Sequence, residues 1–329
     1  MKKVNIGIVG ATGMVGRKII EVLEERNFPV SQIYFFASPK SRGKTIRFKG
    51  EEHLVEELNE SSFNKEIDIA LFSAGGEISK KFGAIARDKG VVVVDNSSAW
   101  RMDKDVPLVI PEVNPEDIKW HSGIIANPNC STIQVVVPLK AIDESFKIKR
   151  IIYSTYQAVS GSGIAGILDL ENGLKGLENT NYPYPIAYNC LPHIDTFMEN
   201  GYTKEEMKMI EETKKILGRQ DLKVTATTVR VPVRHGHSIS VNIELEKAFD
   251  IRKIYDVLEN TNGIVVQDNP SENLYPMPIN AEGTDKVYVG RIRRDYSVEN
   301  GVNMWVVADN IRKGAATNTV QIAELLIGE

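Results

Sequence analysis

The chain has 329 residues, more than most single domains, so its length favours two domains or one domain with a large insertion. Hydrophobic residues make up 42% and charged residues 26%, as in an ordinary globular protein. The 40 basic and 44 acidic residues leave a net charge of −4 without a basic tract or an acidic tail, which argues against nucleic acid and membrane surfaces as partners.

The sequence also lacks the features of membrane and disulfide-rich proteins. No stretch approaches the ~18 apolar residues that a membrane-spanning helix needs. Two cysteines, Cys130 and Cys190, are too few for a disulfide framework or a zinc knuckle. We therefore expect a reduced cytoplasmic protein.

The chain opens with a pattern that is typical of dinucleotide-binding proteins. Val4–Val9 is apolar and predicts a buried strand, residues 10–16 (Gly-Ala-Thr-Gly-Met-Val-Gly) form a glycine loop, and residues 14–26 predict an amphipathic helix. Glycines let the backbone approach a pyrophosphate, which rests on the helix N-terminus. The spacing G-x-x-G-x-x-G is less common than G-x-G-x-x-G, but the strand before it and the helix after it predict cofactor binding.

The second predicted strand, residues 33–37, ends in a loop that bears on cofactor choice. An NAD site usually has an acid at this strand end to bind the ribose hydroxyls. This loop has no acid and instead contains Ser38, Lys40, Ser41 and Arg42. Hydroxyls and positive charges suit a 2′-phosphate, so the loop favours NADP; a solvated basic loop is the alternative.

Strands and helices continue to alternate, which predicts a parallel, doubly wound sheet of the Rossmann type. The small-residue loop around Gly75 is suited to passing near a nucleotide, and Arg101, beyond a strand end, is either an anion clamp or a surface charge. The predicted elements are strand Ile67–Phe72, helix Ser79–Lys89, and strands Val91–Asp95 and Gly123–Ala126.

Cys130 follows a polar, proline-containing loop and opens the apolar run Ile133–Val137. If that run is a helix, Cys130 lies at its N-terminus, where unpaired N–H groups and the helix dipole favour a thiolate. A buried structural cysteine is the alternative. Pro138 predicts that this helix is short or kinked, and Cys190, which matches no such motif, is interpreted as a structural thiol.

Longer strands in the second half predict an α+β domain with a large mixed sheet. We expect residues 1–129, completed by a C-terminal helix within 311–329, to bind NADP, and residues 130–310 to form a catalytic and oligomerisation domain. The predicted strands are Lys149–Gln157, Lys223–Val231, His237–Glu246, Lys286–Arg293 and Asn303–Asp309, and the predicted helices are Ile164–Leu177, Lys204–Leu217 and Ala315–Leu326.

Two segments of the second half contain candidate catalytic side chains. Gln157 ends a strand at a glycine turn, where its amide either positions a carbonyl or caps the turn. Residues 230–237 contain two arginines and two histidines; a histidine is the natural base for a cysteine, and an arginine is the natural clamp for a carboxylate. No further cysteine or acidic ligands cluster beside His235 and His237, so we expect no metal.

Five motifs together resemble the aspartate-semialdehyde dehydrogenase family, in that family's order and spacing across nearly the whole chain. They are the glycine loop, residues 95–102 (Asp-Asn-Ser-Ser-Ala-Trp-Arg-Met), 127–132 (Asn-Pro-Asn-Cys-Ser-Thr), 157–161 (Gln-Ala-Val-Ser-Gly), and 230–232 (Arg-Val-Pro) through His237 and Ser238. The resemblance implies NADPH-dependent reductive dephosphorylation of L-4-aspartyl phosphate through a cysteine thioester. This reaction belongs to lysine, threonine, methionine and diaminopimelate biosynthesis.

The resemblance also implies a role for individual residues. Cys130 would be the nucleophile, His237 the acid/base and Gln157 the residue that orients the substrate. Arg230 would bind the substrate's α-carboxylate and Glu205 its amino group. Its phosphate would be bound by Arg101, Asn129 and Lys208. The expected NADP contacts are Gly10, Thr12, Gly13, Met14, Val15, Ser38, Ser41, Arg42, Gly75, Ser160, Gly161 and Asn318.

Some of these assignments have alternatives. Glu205 and Lys208 lie in a segment rich in acids and lysines, so a solvated helix face is the other interpretation. Relatives often have an arginine followed by Ser-Ala where this chain has Lys40-Ser41-Arg42, which relocates the positive charge. We expect a homodimer or homotetramer, because large mixed sheets often form subunit interfaces.

Two other functions remain open on the sequence alone. N-acetyl-gamma-glutamyl-phosphate reductase shares the fold, the cofactor and the acyl-cysteine mechanism, but its substrate has no ammonium group for Glu205 to bind. A catalytically silent nucleotide-binding relative would have no need of Cys130, Gln157, Arg230 and His237 together.

Overall fold

The computed structural model describes residues 3–328. The chain divides into two compact units. Unit 1 comprises Met1–Asn129 and Ala315–Glu329, and unit 2 comprises Cys130–Gly314.

The helices and strands follow one another as the sequence predicts for an α/β protein. In chain order they are β1 (Val4–Val9), α1 (Met14–Glu25), β2 (Val30–Ala37), β3 (Thr45–Phe48), β4 (Glu51–Glu57), β5 (Ile69–Phe72), α2 (Gly76–Asp88), β6 (Val92–Asp95), β7 (Ile124–Ala126), α3 (Cys130–Phe146), β8 (Ile148–Gln157), α4 (Gly163–Leu174), α5 (Lys204–Leu217), β9 (Lys223–Arg230), β10 (His237–Leu245), α6 (Ile251–Glu259), β11 (Ile264–Val266), α7 (Pro278–Ala281), β12 (Val287–Asp295), β13 (Gly301–Ala308) and α8 (Thr317–Gly328).

Unit 1 contains a seven-stranded sheet in the order β3-β4-β2-β1-β5-β6-β7. In the order of the sheet, every pair of neighbouring strands from β4 across to β7 is parallel. Strands such as β1 and β5 are apolar and buried, as is typical of parallel sheets whose strands are connected through helices. The predicted Rossmann-type, doubly wound sheet is confirmed. The antiparallel β3–β4 hairpin was not predicted, since β4 is rich in glutamate and only its Val55 is fully buried.

The C-terminal helix α8 belongs to unit 1, although unit 2 separates it from the rest of that unit in the sequence. It packs against α1 and β6. Val320 and Ala323 of α8 join the apolar core of unit 1. Arg26, at the end of α1, donates two hydrogen bonds of 2.7 and 2.6 Å to the Glu324 carboxylate.

Unit 2 contains a six-stranded mixed sheet in the order β11-β12-β13-β10-β8-β9. The β8–β9 and β11–β12 pairs are parallel and the other pairs are antiparallel. Helix α3 packs across β8, β10, β12 and β13, and it also contacts α5 and α6. This arrangement confirms the predicted α+β architecture with a large mixed sheet, while β11 and α6 were not predicted.

Helix α3 is longer than the sequence suggests. It begins at Cys130 and passes Pro138 to end at Phe146, so of the two predicted alternatives, a short or a kinked helix, the short one is wrong. Pro138 cannot donate a backbone hydrogen bond to the carbonyl of Gln134. Burial of most of the helix compensates for that loss, since both its turns before Pro138 and the residues Leu139 and Ile142 after it are packed inside the protein.

Within residues 3–328, no helix is both long enough and apolar enough to cross a membrane.

Candidate active site

Three predicted catalytic side chains lie at the same end of three adjacent strands of unit 2. Gln157 is the last residue of β8 and pairs with Arg230, the last residue of β9. His237 is the first residue of β10, and its neighbour Ser238 pairs with Tyr156 of β8. Strand pairing therefore brings together an amide, a guanidinium and an imidazole from residues that span 80 positions of the sequence.

The imidazole of His237 is completely buried and held in one orientation. The Ala158 N–H donates a 3.0 Å hydrogen bond to Nδ1, so Nδ1 keeps its lone pair and the neutral ring has its hydrogen on Nε2. Burial, and secondarily the charge of Arg230, place the pKa of His237 well below its ordinary value. Within residues 3–328, the buried Nε2 has no hydrogen-bond partner, so it is a donor for a ligand.

Arg230 is 4% exposed, which is unusual for an arginine and points to a specific role. Its Nη1 donates a 2.7 Å hydrogen bond to the Ala158 carbonyl. Its Nε is buried and has no hydrogen-bond partner among the described residues. A buried guanidinium with unused donor capacity is suited to binding a carboxylate.

Gly161 explains how Arg230 and His237 come close together. A Cβ at position 161 would lie 2.7 Å from Nη1 of Arg230 and 3.3 Å from Cε1 of His237. Only a residue without a side chain leaves both groups where they are. Gly161 is predicted from the sequence as a cofactor contact; the structure also places it against Arg230 and His237, two of the predicted site residues.

The predicted ammonium-binding residue, Glu205, is buried and contacts Gln157. Nε2 of Gln157 donates a 3.1 Å hydrogen bond to Oε1 of Glu205. Nζ of Lys208 lies 3.4 Å from Oε2 of Glu205 and 2.7 Å from Oδ2 of Asp195. Because Glu205 is only 5% exposed, the alternative of a solvated helix face is wrong for this residue.

The adjacent glutamate, Glu206, has a different function. It forms a capping box with Thr203 at the start of α5, in which its carboxylate accepts from the Thr203 N–H and the Thr203 hydroxyl accepts from the Glu206 N–H. Its other oxygen accepts a 3.0 Å hydrogen bond from the Thr228 N–H. Glu206 is therefore fully used in holding α5 against β9, which leaves Glu205 as the acid of the site.

Cys130 is the first residue of α3 and is half-buried, which confirms the predicted position at a helix start. Gly314 lies against it, because a Cβ at position 314 would be 2.9 Å from Cβ of Cys130. Gly314 belongs to a π-helical turn, Arg312–Ala316, a conformation often found at functional sites. Cys190 is exposed, so its interpretation as a packed structural thiol is wrong.

Ser160 and the turn before His237 are joined by a residue that sequence analysis missed. The buried Asn310 donates a 3.0 Å hydrogen bond from Nδ2 to the Ser160 hydroxyl. Its Oδ1 accepts a 2.9 Å hydrogen bond from the N–H of Gly236, whose positive φ of 84° forms the turn. Asn310 follows a strand without any recognisable motif, so no sequence signal indicated this role.

In unit 1 the glycine loop has the geometry of a phosphate cradle. Gly10 has φ 83°, and a Cβ there would lie 2.3 Å from the Ser73 carbonyl oxygen. Gly13 is the residue before α1, and within the described chain no side chain caps this helix. The N–H groups of Met14 and Val15 at the first turn are therefore suited to phosphate oxygens. Thr12 lies at the same loop, and its hydroxyl is 3.3 Å from that of Ser41.

The predicted 2′-phosphate loop is a short 3-10 turn, Pro39–Ser41, that begins after the exposed Ser38. Arg42 follows it with a largely exposed side chain. Its Nη1 lies 3.8 Å from Oε2 of Glu57 at the end of β4. Glu57 was not predicted beside this loop, because the β3–β4 hairpin that brings it next to the end of β2 was not predicted.

Two further loops of unit 1 contain predicted ligand residues. Gly75 precedes α2 with φ 77°, and a Cβ there would meet no described atom within 4 Å, so the loop surface is open. Arg101 is buried; it donates 3.0 Å and 2.8 Å hydrogen bonds to the carbonyls of Asn127 and Asn96. Asn129 is also buried.

Asn318, a predicted NADP contact, supports the same loops. It is completely buried in α8. Its Nδ2 donates to the Val109 carbonyl at 3.0 Å and to Oδ1 of Asn127 at 2.8 Å. Both amide hydrogens of Asn318 are therefore used within unit 1, where they fix the chain that leads to Asn129.

Among residues 3–328, the His, Cys, Asp and Glu side chains form no group of three that could hold a metal ion.

Two family models match most of the chain, and curated relatives match it over nearly its whole length. Residues 5–121 match the family model of the semialdehyde dehydrogenase NAD binding domain, and residues 139–313 match that of the semialdehyde dehydrogenase dimerisation domain. Aspartate-semialdehyde dehydrogenase of Aquifex aeolicus is 57% identical over 98% of both chains. That of Bacillus subtilis is 46% identical over 98% of this chain and 97% of its own.

Solved structures give the same result. Aspartate semialdehyde dehydrogenase II from Vibrio cholerae, complexed with ASA, is 49% identical and has a TM-score of 0.96 over 100% of this chain and 99% of that chain. Aspartate semialdehyde dehydrogenase with NADP from Candida albicans is 27% identical, with a TM-score of 0.80 over 99% of both chains. The chain belongs to the aspartate-semialdehyde dehydrogenase family.

Proposed function

We propose that this protein is an aspartate-semialdehyde dehydrogenase that reduces L-4-aspartyl phosphate to L-aspartate 4-semialdehyde and phosphate, and that it uses NADPH. The observation that carries the proposal is the buried group Gln157, Glu205, Arg230 and His237 in the unit that begins with Cys130. It combines an anionic and a cationic group, which match the ammonium and α-carboxylate of an amino-acid substrate.

Cys130 is the proposed nucleophile. Its thiolate attacks the acyl carbon of aspartyl phosphate, a carbon–sulfur bond forms, and phosphate leaves with the electrons of the broken carbon–oxygen bond. Backbone N–H groups at the start of α3 are suited to stabilising the oxyanion of the tetrahedral intermediate, an effect of about 3 kcal/mol per donor. Release of the aldehyde returns the thiolate to Cys130.

His237 is the proposed acid/base. In the neutral tautomer that Ala158 selects, Nε2–H donates to the substrate oxygen on which negative charge develops. A neutral imidazole held by its surroundings is an established way of polarising a carbonyl, as in triosephosphate isomerase. In the reverse direction the same Nε2–H donates to the hemithioacetal oxygen as negative charge develops on it.

Arg230 and Glu205 are the proposed substrate clamps. Arg230 binds the α-carboxylate, and Glu205, held by Gln157, binds the amino group. Gln157 positions the substrate next to this pair. Arg101, Asn129 and Lys208 are the proposed phosphate-binding residues, each with the positive charge or amide donor that a phosphate needs.

NADP is the proposed cofactor, and the residues of unit 1 fit it. A pyrophosphate would fit at the start of α1, where no side chain of the described residues caps the helix after Gly13. Gly10 has no side chain, so the backbone there can come close to the pyrophosphate. Ser38, Ser41 and Arg42 are suited to holding a 2′-phosphate. Ser160, Gly161, Gly75 and Asn318 are proposed as further contacts or supports. When bound, NADPH supplies the hydride that reduces the thioester.

The decisive experiment measures phosphate-dependent reduction of NADP with L-aspartate semialdehyde, the reverse reaction. We expect turnover in the intact chain, loss of turnover in Cys130→Ala, and unchanged turnover in Cys190→Ala, which is the matched control because the chain has only these two cysteines. Activity that survives Cys130→Ala contradicts the nucleophile assignment, and equal rates with NAD contradict the cofactor assignment.

The same assay separates the second candidate function. Turnover only with the aldehyde of N-acetylglutamate would make the protein a reductase of N-acetyl-gamma-glutamyl phosphate. The buried Glu205 disfavours this outcome, since a carboxylate has no ammonium partner in an acetylated substrate.

Self-association is also proposed, as a homodimer or homotetramer. The match of residues 139–313 to a dimerisation domain supports it. Sedimentation at micromolar concentration, with an observed mass of two or four chains, is the expected result; a single-chain mass would contradict it.

A further inference from the structure

Helix α3 contains one buried amide in its first two turns, and the proposed chemistry has not used it. Gln134 lies one turn beyond Cys130 and is completely buried. Its neighbours in the sequence, Ile133 and Val135, are apolar and equally buried. Gln134 is thus a polar side chain at a position where the surroundings favour an apolar one.

The amide of Gln134 has a specific partner. Its Nε2 donates a 3.0 Å hydrogen bond to the backbone carbonyl oxygen of His237, 103 positions away in the sequence. Its Oε1 is buried and, within residues 3–328, has no hydrogen-bond partner. An orphaned buried acceptor is unfavourable, and methionine or leucine would fill a similar volume without it. The hydrogen bond to His237 is the gain that offsets this cost.

The position of Gln134 relates the proposed nucleophile to the proposed acid/base. Residues four apart in a helix lie on the same face, so Cys130 and Gln134 are neighbours along α3. The imidazole of His237 is fixed separately by the Ala158 N–H on Nδ1. Burial and this hydrogen bond restrict the ring, so its distance from Cys130 depends largely on where the backbone of His237 is held.

We propose that Gln134 is a positioning residue that sets the separation between Cys130 and His237 through its hydrogen bond to the His237 carbonyl. The inference rests on the proposed function and deepens it, because it names what aligns the nucleophile with the acid/base. Gln134 itself touches no substrate in this proposal.

The test replaces Gln134 with methionine, which has a similar length and no donor. In the phosphate-dependent reduction of NADP with L-aspartate semialdehyde, we expect kcat to fall about 10- to 100-fold, since a displacement on the order of 1 Å has this effect on a catalytic pair. The KM values for aldehyde and NADP should stay unchanged. The split between a lowered kcat and unchanged KM values is the readout that a merely structural residue would not give, since Gln134→Met removes both the orphaned Oε1 and the hydrogen bond to the His237 carbonyl, which affect stability in opposite directions.

A double-mutant cycle gives the sharpest readout. If Gln134 acts through His237, then Gln134→Met added to His237→Ala lowers kcat no further. If the double mutant instead shows a kcat lowered by the product of the two single-mutant factors, the proposal is overturned. Gln134→Leu is the second variant should the methionine protein fail to fold, and it should give the same coupling.

Gln321→Met is the matched control. Gln321 lies on α8 in unit 1, and its Nε2 donates a 2.9 Å hydrogen bond to Glu112. This control should leave kcat unchanged. A wild-type chain without turnover would contradict the proposed function, whereas an active wild type with full kcat in Gln134→Met would contradict only the role of Gln134.

Discussion

In unit 2 the candidate site consists of long polar side chains that hold one another, whereas in unit 1 the nucleotide loop consists mainly of backbone. Gln157 contacts Glu205, and Arg230 and His237 share Ala158 as a partner. The loop of unit 1, by contrast, depends on the φ of Gly10 and on an uncapped helix start.

The difference follows from what each unit is proposed to bind. A pyrophosphate has many equivalent oxygens, which backbone N–H groups bind without any particular side chain. An amino-acid acyl group must be oriented to a fraction of an ångström for attack, which requires rigid, buried side chains. Side-chain substitutions should therefore reduce activity strongly in unit 2 and weakly in the loops of unit 1.

The largest effect is expected from His237→Ala. Loss of the acid/base should lower kcat by about 10²- to 10⁴-fold, with folding retained as judged by circular dichroism. His235→Ala is the control, because the ring of His235 lies outside the buried group, with its Nε2 3.9 Å from a Glu282 carboxylate oxygen. A loss below about tenfold would show that the proton is handled elsewhere.

The pH profile of the intact protein tests the same residue. Burial, and then the charge of Arg230, lower the pKa of His237 well below 6.5, so the ring is neutral at and above that pH. A group whose pKa is lowered becomes charged only at more acidic pH. The kcat profile should accordingly show no loss of rate from His237 protonation near pH 6.5, and an acid limb at that pH would contradict this assignment.

Gly161→Ala should have the next largest effect. The added methyl group would lie 2.7 Å from Nη1 of Arg230 and 3.3 Å from Cε1 of His237, so one or both must move. We expect kcat/KM for the aldehyde to fall about 10²-fold. Ser162→Ala, on the same turn, is the control and should change kcat/KM by less than about threefold, or about 0.7 kcal/mol.

Arg42→Ala addresses unit 1, where the expected effect is smaller. Loss of the guanidinium should raise KM for NADP about tenfold and leave KM for NAD unchanged, because only NADP has a 2′-phosphate. Lys44→Ala, two residues further on, is the control. A fall in kcat as large as that of His237→Ala would break the distinction between the two units.

The smallest effect concerns stability in unit 2. Burial raises the pKa of Asp169, but hydrogen bonds from the N–H groups of Thr180, Tyr182 and Asn181 together lower it below its usual value. A lowered pKa means that this carboxylate stabilises the fold fully above its unfolded pKa of about 3.9, and that the contribution is lost as the pH falls through the folded pKa.

Asp169→Asn should therefore lower the melting temperature at neutral pH by roughly 4 °C, equivalent to about 2 kcal/mol. The difference from wild type should shrink below pH ~4. Asp88→Asn is the control, since its side chain is 66% exposed and its contribution is expected to be below ~0.5 kcal/mol. A difference that is independent of pH would contradict the carboxylate's role.

Local patterns in the sequence predicted most of the elements and the chemical types of the candidate site residues. Hydrophobic periodicity and glycines are local signals, so β1, the glycine loop, α1 and the position of Cys130 at the start of α3 followed from them. Pro138 wrongly suggested a short helix, because the buried stretch around it, residues 131–139, tolerates a lost hydrogen bond that an exposed helix would not.

Residues of the same type are distinguished by their tertiary contacts. Glu205 and Glu206 are the same amino acid at adjacent positions, and their partners, Gln157 for Glu205 and Thr203 for Glu206, distinguish a site residue from a helix cap. The tautomer of His237 depends on an N–H 79 positions away. Such contacts arise from strand register and helix packing, which join distant residues and leave no local pattern in the chain.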